Sequence, residues 1–284
     1  GTPLYAKRGR NIELTDADFK KISTLIYDHC GINLHNGKKE LLRARLGKRI
    51  REGQFKSFRN YYQYVIEEES GQELIYLLDS ISTNFTSFFR EQKHFEYLKN
   101  EFLPELVTHK KSRERKLSFW SAGCSSGEEA YSIVITLLEA MEAPSAWNLK
   151  VLGTDISTRM LQIAKLGVYE REKIRAIPPA WIREYFLRGD QRWHGFVKVK
   201  DEVKQYTNFT RFNLMESSCF QDPFDCIFCR NVMIYFDRKT QTSLVQRFYD
   251  CLAKGGVFLI GHSESLAGIQ HPFGYVKPAI YKKE

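Results

Sequence analysis

The stretch that decides the fold is FWSAGCSSGEE, residues 119–129. It is typical of an apolar strand end, a turn of small residues and a helix that opens on two acids. About thirty residues later the pattern recurs in LKVLGTDIS (149–157), where a second strand ends at Asp155. In a doubly wound sheet, a glycine-containing first turn and an acid at the end of the second strand bind a nucleoside, and the acid accepts hydrogen bonds from the ribose hydroxyls. The two stretches together therefore predict an α/β domain with a nucleoside site.

The charge of this turn narrows the choice of nucleoside. Gly123 and Gly127 are present, but the G-x-G core of a dinucleotide fingerprint is absent. Glu128 and Glu129 follow directly. Acids at this place repel a pyrophosphate, which binds best at the bare positive end of a helix. S-adenosylmethionine has no phosphate and carries a sulfonium and an ammonium group, so the turn favours this cofactor over NAD.

Strands and helices alternate from residue 117 onward, and this rhythm predicts a mostly parallel sheet with helices on both faces. The expected elements, in chain order, are strand 117–121, helix 126–141, strand 149–154, helix 157–166, strands near 207–211 and 224–229, helix 238–253 and strand 256–261. The tail FGYVKPAIYKK is typical of a closing strand that lies antiparallel at an edge.

Residues 169–206 break the alternation. They contain a short helix, PPAWIREYF, and then WHGFVKVKDEVKQYTNF (193–209), whose alternation of polar and apolar residues is typical of a hairpin. We expect a small antiparallel β insertion here. Such an insertion either holds a partner through its exposed edge or is a loop without a function of its own.

Residues 15–90 are expected to be helical throughout. Apolar residues recur there at helical spacing in four groups, which are Phe19, Ile22 and Ile26; Leu42, Leu46 and Ile50; Tyr61, Tyr64 and Val65; and Leu74, Leu77, Leu78 and Ile81. ISTNFTSFFRE (81–91) precedes a long helix with Phe95, Leu98, Phe102 and Leu106 on one stripe. We therefore expect a helical domain over residues 12–90 and an α/β domain over residues 91–284.

The composition is that of a globular chain, with 284 residues, 43% of them hydrophobic, and no apolar run of membrane-spanning length. The start, GTPLYAKRGRN, lacks a signal-peptide core. Six scattered cysteines do not suggest a disulfide framework, which favours a reducing cytoplasm. Cys226 and Cys229 form a C-x-x-C, but in the predicted strand PFDCIFCRN positions three apart point to opposite faces. We expect buried, inert thiols and no metal site.

The net charge of +9 is concentrated in one segment. Nine basic residues lie between Lys38 and Arg59, against only Glu40 and Glu52. A basic run is often a solvated helix face. This excess also fits an acidic partner, whether a nucleic acid, an anionic lipid or an acidic protein surface.

The residues that could do chemistry should meet at the carboxyl ends of the parallel strands, where open α/β sheets bind ligands. The two turns described above converge there with CRNVMIYF (229–236). Asn213, after the third strand, is expected near the adenine. Asn231 offers a donor and an acceptor, and Tyr235 a phenol, near the place of a transferred methyl. On local evidence alone, Asn231 could equally cap a turn and Tyr235 could equally pack.

Four stretches, in this order, resemble the chemotaxis receptor methyltransferases (CheR): TNFTSFFRE (83–91), SAGCSSGEEAYS (121–132), FCRNVMIYF (228–236) and GGVFLIGHSES (255–265). FCRNVMIYF together with FFRE is highly specific for the family, whereas the glycine turn alone is not. The resemblance extends over residues 12–282 and includes the basic helical domain and the β insertion. It implies a class I methyltransferase-like fold and an S-adenosylmethionine-dependent protein-glutamate O-methyltransferase.

The resemblance also implies site residues and partners. The family's cofactor contacts correspond here to Asn84, Thr86, Arg90, Glu129, Asp155, Asn213, Leu214, Asn231 and Val232, and its catalytic positions to Arg90 and Tyr235. The implied substrates are glutamates on acidic cytoplasmic helices of chemoreceptors, with basic residues 38–59 as the docking surface. Some relatives hold a peptide at the receptor's C-terminus with the β insertion. We expect a cytoplasmic monomer recruited to membrane receptor clusters, with no nucleic-acid partner and no insertion into the membrane.

The chemistry of a glutamate acceptor agrees with the residues present. A glutamate carboxyl group has an ordinary pKa of about 4.3 and is ionised at neutral pH, so no general base is needed. The absence of an obvious His–acid pair is therefore expected. Transfer cancels the charges of carboxylate and sulfonium, and a dry site favours such a step. Phe88 and Phe89 are expected to supply an apolar wall beside Arg90, which would hold the substrate carboxylate or the cofactor in line.

Other functions stay open at this point. A nucleic-acid methyltransferase would agree with the charge, but methylation of base amino groups usually shows an Asn/Asp-Pro-Pro-aromatic motif after the fourth strand. This chain has Arg230-Asn231-Val232-Met233 there. A receptor-binding adaptor that senses the cofactor without transferring a methyl is the non-enzymatic alternative, although the residues implied to be catalytic are intact. The acids of the turn disfavour a dehydrogenase.

Overall fold

The computed structural model describes residues 12–110, 114–217 and 220–284. The chain forms two compact units, one up to residue 82 and one from residue 83 onward. Among the described helices, none combines the length and the apolar composition that crossing a membrane requires.

The boundary between the units lies earlier than the sequence predicts. Residues 83–90 are expected to close the helical domain, yet they belong to the second unit. There the Phe89 N–H donates to Ser132 Oγ (2.9 Å), and Ser125 Oγ donates to the Asn84 carbonyl (3.2 Å). These bonds replace the intrahelical bonds that the segment would make as a helix.

The first unit is a set of helices joined by short turns. Its helices are α1 (Asp16–Cys30), α2 (Lys39–Glu52), α3 (Phe58–Glu67) and α4 (Gln72–Ile81), with a 3₁₀ turn at Asn36–Lys38 before α2. Thr15 and Ser57 cap α1 and α3 because their hydroxyls accept the N–H groups of Asp18 and Asn60 (both 3.1 Å). The apolar groups at helical spacing form the core, in which the fully buried residues include Ile22, Leu42, Leu46, Tyr61 and Leu77.

Two members of the predicted apolar groups lie outside this core. Tyr64 is 42% exposed, and Leu74 is only half-buried. On α4 a buried position falls instead to Glu73, whose two carboxylate oxygens accept hydrogen bonds from the Arg49 guanidinium (2.7 Å each). A bidentate pair of this kind compensates the desolvation of both charges, which apolar spacing alone does not reveal.

The second unit is an α/β domain. Its strands are β1 (Lys116–Ala122), β2 (Asn148–Asp155), β3 (Val168–Glu170), β4 (Phe186–Arg188), β5 (Phe196–Val199), β6 (Thr207–Arg211), β7 (Phe224–Phe228), β8 (Leu252–Leu259), β9 (Gly274–Lys277) and β10 (Ile280–Lys282). Its helices are α5 (Lys93–Tyr97), α6 (Leu103–Lys110), α7 (Glu128–Ala140), α8 (Thr158–Leu166), α9 (Pro179–Tyr185), α10 (Asp201–Lys204) and α11 (Arg238–Cys251). A π-helical turn, Leu98–Phe102, joins α5 and α6 into the long helix that the sequence predicts.

The main sheet has seven strands in the order β6-β2-β1-β7-β8-β10-β9. The first five of these run parallel, and β10 pairs antiparallel with β8 and β9. The strand order reverses between β1 and β7, and this switch point is where open α/β sheets bind ligands. The predicted doubly wound, mostly parallel sheet is confirmed.

The last strands differ from the prediction in two respects. β8 begins at Leu252, directly after α11, whereas the sequence predicts its start at residue 256. The tail forms two strands, with β9 at the edge and β10 inside it, where one closing strand is predicted. The tail divides because Pro278 interrupts it and Ala279 takes a left-handed φ of 65°.

The insertion is a separate antiparallel sheet of three strands in the order β3-β5-β4. The small antiparallel insertion is therefore confirmed, but the predicted hairpin within residues 193–209 is wrong. β5 pairs with β3 and β4, and the residues after it form α10. Asp201 and Glu202 stand in the first turn of α10, where the helix dipole favours acids.

The five described cysteines are free thiols, and Cys219 lies outside the described residues. Cys226 and Cys229 are fully buried, and burial raises the pKa of both thiols well above its usual value. They are the buried, inert thiols that the sequence predicts.

Candidate functional site

The turn after β1 is packed too tightly for larger residues. Gly123 has a φ of 75°, and a Cβ added to it would lie 2.6 Å from Val232 Cγ2. Gly127 has a φ of 96°, and a Cβ there would lie 2.8 Å from the Cβ of Ala164 on α8. Both positions therefore favour glycine. The backbone of the turn lies directly against the segment after β7.

Asp155, at the end of β2, is tied to this turn. Its side chain is buried, and its two oxygens accept the N–H groups of Ser125 (2.8 Å) and Ser157 (2.9 Å). A carboxylate has about four lone-pair positions, so these bonds are compatible with ribose hydroxyls as further donors. The Phe212 N–H donates to the Asp155 carbonyl (3.1 Å), which brings Asn213 to the same edge. The residues predicted to bind ribose and adenine are therefore neighbours.

The two acids that open α7 have different environments. Glu128 is fully buried and accepts hydrogen bonds from Ser126 Oγ (2.6 Å) and from Lys173 Nζ (3.0 Å). Its charge is therefore balanced by a lysine of the insertion, and the prediction that both acids attract a cationic ligand does not hold for Glu128. Glu129 accepts from Ser121 Oγ (2.7 Å) with one oxygen and from a guanidinium with the other.

Arg90 lies in the segment before α5 and folds back over that segment. Its Nη1 donates to the Phe85 carbonyl (3.0 Å), and its guanidinium lies 5.2 Å from the centre of the Phe85 ring. Phe85 is 75% exposed. The bond from Ser125 Oγ to the Asn84 carbonyl holds the same segment against the turn after β1. Thr86 lies in the chain between Asn84 and Arg90, which these two hydrogen bonds hold in place.

The aromatic wall predicted beside this arginine is not formed by the expected rings. Phe88 is buried and packs edge-on against Tyr169 (5.1 Å) and Phe186 (5.4 Å), both from the region of the insertion. Phe89 packs edge-on against Phe95 (5.2 Å). Both rings anchor the segment to the core. The apolar side chain exposed beside the guanidinium is Phe85.

One carboxylate holds the segment after β7 in an unusual conformation. Asn231 has a φ of 59°, a region that asparagine tolerates better than most residues. Glu264 accepts the N–H groups of Asn231 (2.8 Å), Ile234 (3.3 Å) and Gly261 (2.7 Å). Burial raises the pKa of Glu264, although these N–H groups act in the opposite sense. Glu264 thereby fixes the 3₁₀ turn Met233–Tyr235 and its half-buried tyrosine.

Two charged residues of the site, Arg230 and Glu264, were not predicted from the sequence. Arg230 follows a fully buried strand, and its guanidinium donates to Glu129 and to the Arg90 carbonyl. Each lies in a stretch that the resemblance quotes, but neither has a motif of its own. The one available signal was an arginine placed directly after an entirely apolar strand end, where a cation needs a buried partner.

Glu91, His94 and His262 also meet beside Arg230. One ligand atom from each lies within 4.8 Å of the others, a spacing that suits a metal ion, and two histidines with a carboxylate are a known ligand set. The sequence did not indicate this cluster. Arg230 Nη1 lies 3.0 Å from His94 Nδ1, so a guanidinium already places positive charge within the cluster.

The predicted site residues thus gather at the carboxyl ends of β1, β2, β6 and β7. Hydrogen bonds connect the segment of Asn84 and Arg90, the turns of Glu129 and Asp155, and Asn231, whose Nδ2 donates to Glu91 Oε1 (3.3 Å). Leu214 lines a small cavity with Trp120 and Phe212 on the adjoining loop.

Family models match the two units separately. The model described as "CheR methyltransferase, SAM binding domain" matches residues 84–281, and "CheR methyltransferase, all-alpha domain" matches residues 17–82. The chain belongs to the CheR methyltransferase family. The chemotaxis protein methyltransferases of Borreliella burgdorferi and Escherichia coli are 40% and 36% identical to it, over 96% and 99% of this chain and 96% and 95% of theirs. Among solved structures, an S-adenosylmethionine-dependent methyltransferase of Methanosarcina mazei covers 54% of this chain and 55% of its own at 14% identity; its TM-score of 0.31 is too low to bear on function.

The α/β domain of a CheR methyltransferase binds S-adenosylmethionine, and the groups at this edge fit that cofactor. Asp155 is a carboxylate suited to hydroxyl donors, Glu129 keeps lone pairs for an ammonium donor beside its pair with Arg230, and Asn213 and Asn231 can both donate and accept. The packing of Gly123 against Val232 brings the backbone of the turn close to any ligand bound at this edge. Arg90 is the one cation among the nine predicted contacts, which agrees with a ligand that carries no phosphate.

Proposed function

We propose that this CheR methyltransferase transfers the methyl group of S-adenosylmethionine to glutamate side chains of chemoreceptor cytoplasmic domains. The glutamyl methyl esters formed would serve chemotactic adaptation. The observation that carries the proposal most is the position of Arg90. Its segment is bonded to the cofactor turn at Asn84, and its guanidinium lies over the exposed Phe85, where an anionic acceptor can reach it.

The reaction requires few catalytic groups from the protein. Bound S-adenosylmethionine supplies an electrophilic methyl group on a positively charged sulfur. The acceptor carboxylate is already ionised at neutral pH, so no residue has to remove a proton from it. Arg90 would orient the carboxylate by charge and by its planar fork of donors, and Tyr235 would donate its hydroxyl to the acceptor or the cofactor. Positioning and the exclusion of water are the remaining contributions.

We propose that α2 and the residues after it dock the acidic receptor helices. The first unit already uses part of the basic excess, in the ion pairs Lys39–Asp16, Arg43–Glu40, Lys48–Glu52, Arg49–Glu73 and Arg59–Asp18. Four exposed basic residues of this segment make no ion pair with any described residue, namely Lys38, Arg45, Arg51 and Lys56. Arg45 Nη1 already donates to the carbonyls of Ser80 (3.3 Å) and Ser82 (3.2 Å), so Lys38, Arg51 and Lys56 are the part of the segment most available to an acidic partner.

A receptor's C-terminal peptide is a second proposed partner. β3 and β4 are the edge strands of the insertion, and an edge strand can accept a peptide by main-chain hydrogen bonds. Leu187 on β4 is 51% exposed, and Trp193 on the loop after it is 49% exposed, so both can contact apolar side chains of such a peptide. Through these two contacts, a cytoplasmic monomer would be recruited to receptor clusters at the membrane.

The experiment that tests the function follows tritiated methyl groups from S-adenosylmethionine to a chemoreceptor cytoplasmic fragment. We expect label that base releases as methanol, and that is lost when the receptor glutamates are replaced by alanine. Binding of S-adenosylhomocysteine, measured by calorimetry, is the parallel control for a folded cofactor site. Label that resists base, or cofactor binding without transfer to any receptor fragment, would contradict glutamate methylation.

A further inference from the structure

Arg230 is a buried side chain of the second unit with several hydrogen bonds. It lies two residues after the end of β7, and its side chain is 2% exposed. Its guanidinium lies beside two buried rings that stack on each other with centres 5.7 Å apart, 5.3 Å from the centre of Phe95 and 5.4 Å from that of Phe228. A planar guanidinium that is buried against these rings and bonded through both Nε and Nη1 presents its N–H groups in fixed directions.

The donors of Arg230 reach separate parts of the chain. Nε donates to Glu129 Oε2 (2.9 Å) at the start of α7. Nη1 donates to the Arg90 carbonyl (2.6 Å), and the same atom lies 3.4 Å from Glu91 Oε2. Two carboxylates thus balance one buried cation, which removes the main cost of burying it.

The neighbouring His94 supports this arrangement. Burial, together with the charges of Arg230 and His262, lowers the pKa of His94 to about 3. The imidazole is therefore neutral at physiological pH, and its Nδ1 can accept a hydrogen bond from Arg230 Nη1 (3.0 Å). A neutral His94 therefore adds no second positive charge beside the Arg230 guanidinium.

We propose that Arg230 is a positioning residue that sets both halves of the methyl-transfer site at once. Through Glu129 it fixes a carboxylate at the cofactor turn, and through the Arg90 carbonyl it fixes the main chain of the residue that would orient the acceptor. Because its side chain is 2% exposed, Arg230 would act through these two groups and not by contact with the cofactor or the reacting atoms. This role rests on the function proposed above, because it takes Glu129 and Arg90 in the places that function gives them.

Lysine cannot replace this residue. Its ammonium is a compact charge on a flexible stem, so it can neutralise Glu129 but cannot hold a carboxylate and a carbonyl in two fixed directions. The variant Arg230→Lys therefore keeps the buried positive charge and removes the planar set of N–H donors. A variant that removes the charge would leave Glu129 and Glu91 unbalanced and could fail to fold.

The test compares Arg230→Lys with Asp225→Asn in the full chain. Asp225 lies at the other end of β7, is buried, and pairs with Lys110 (2.6 Å), so it is a matched buried ion pair away from the site. For Arg230→Lys we expect a folded protein with about 10-fold weaker binding of S-adenosylhomocysteine, from one lost charge-assisted hydrogen bond. At saturating S-adenosylmethionine, we expect kcat on the receptor fragment to fall about 100-fold because Arg90 is misplaced. Asp225→Asn is expected to lower the melting temperature and leave both constants near those of the parent.

A double-variant cycle separates positioning from a general loss of order. If Arg230 acts on the cofactor through Glu129, adding Arg230→Lys to Glu129→Gln will weaken S-adenosylhomocysteine binding little beyond Glu129→Gln alone. Additive effects, unchanged constants in Arg230→Lys, or equal losses in Asp225→Asn would each overturn the proposal. Should the parent bind S-adenosylhomocysteine but methylate no receptor fragment, the proposed function fails, and the binding cycle still decides whether Arg230 positions Glu129.

Discussion

Arg90 is the residue on which the direction of the acceptor depends. Its guanidinium is held by the Phe85 carbonyl and ring at an exposed place, so Arg90→Ala removes an orienting charge without opening a buried cavity. We expect kcat on a receptor fragment to fall about 100-fold, with a smaller loss of S-adenosylhomocysteine affinity. Arg238→Ala is the matched control, since Arg238 also donates from an exposed position to a distant carbonyl, that of Ala267. Near-normal turnover of Arg90→Ala with unchanged cofactor affinity would remove Arg90 from the mechanism.

Glu264 gives the second unit a pH-dependent contribution with a definite sign. Burial raises the pKa of Glu264 above its ordinary value. A carboxyl group with a raised pKa contributes stability that is fully present below the unfolded-state pKa and is lost as pH rises through the folded-state pKa. Glu264→Gln lacks this titration. The difference in unfolding free energy, parent minus Glu264→Gln, should therefore decrease as the pH is raised from about 4.

Tryptophan fluorescence in urea is the measurement, at a series of pH values. All four tryptophans, Trp120, Trp147, Trp181 and Trp193, belong to the second unit, so the signal reports on the unit that contains Glu264. A difference that grows with pH would mean that the three backbone N–H groups stabilise the carboxylate more than burial penalises it.

At the scale of elements, the sequence predicted what depends on hydrophobic periodicity and turn chemistry. It placed the end of β2 at Asp155, the end of β7 at Cys229, one residue beyond the observed end, and the glycine turn between β1 and α7. It could not show that Glu128 pairs with Lys173 of the insertion, because that contact joins residues 45 positions apart. For the same reason, alternation predicted a hairpin near β5, whereas pairing with β3 and β4 gives β5 its place in the fold.

The unpaired charges after and within α2 lead to a prediction about this element. The double variant Arg51→Gln/Lys56→Gln removes two exposed charges without ion-pair partners among the described residues, and Arg43→Gln/Lys48→Gln removes two that are paired within the helix. Both lose the same net charge. We expect the first to lower kcat/KM on the receptor fragment about tenfold, mainly through slower association, and the second to lower it much less. S-adenosylhomocysteine binding should not change in either.

Ionic strength provides the further check on this surface. Screening shortens the range of charge interactions to about 3 Å at 1 M salt, so the gap between the two double variants should close as salt is added. Equal losses in both variants at low salt would indicate that net charge, and not this part of the first unit, governs receptor association.

At the scale of the whole molecule, the sequence predicted the division of the chain into two units only in part. The change from helical spacing to alternation predicted two domains, but TNFTSFF was assigned to the wrong one because it precedes a helix and follows one. The segment packs in the second unit because Ser125 bonds the Asn84 carbonyl and Ser132 bonds the Phe89 N–H. These serines lie 41 and 43 positions further along the chain, so local sequence does not reveal the contacts. Every predicted cofactor contact, including Asn84 and Thr86, consequently belongs to the second unit.

This placement predicts how the intact protein responds to its cofactor. A ligand that binds only the folded form at about 100 times its Kd stabilises that form by about 2.7 kcal/mol. If all contacts lie in residues 83–284, S-adenosylhomocysteine should slow hydrogen exchange in β1, β2 and the start of α7. The amides of α2 and α4 should exchange at nearly the same rate with and without it. Protection of α2 equal to that of β2 would show that the helical unit shares in cofactor binding, and docking by α2 would then depend on the state of the cofactor site.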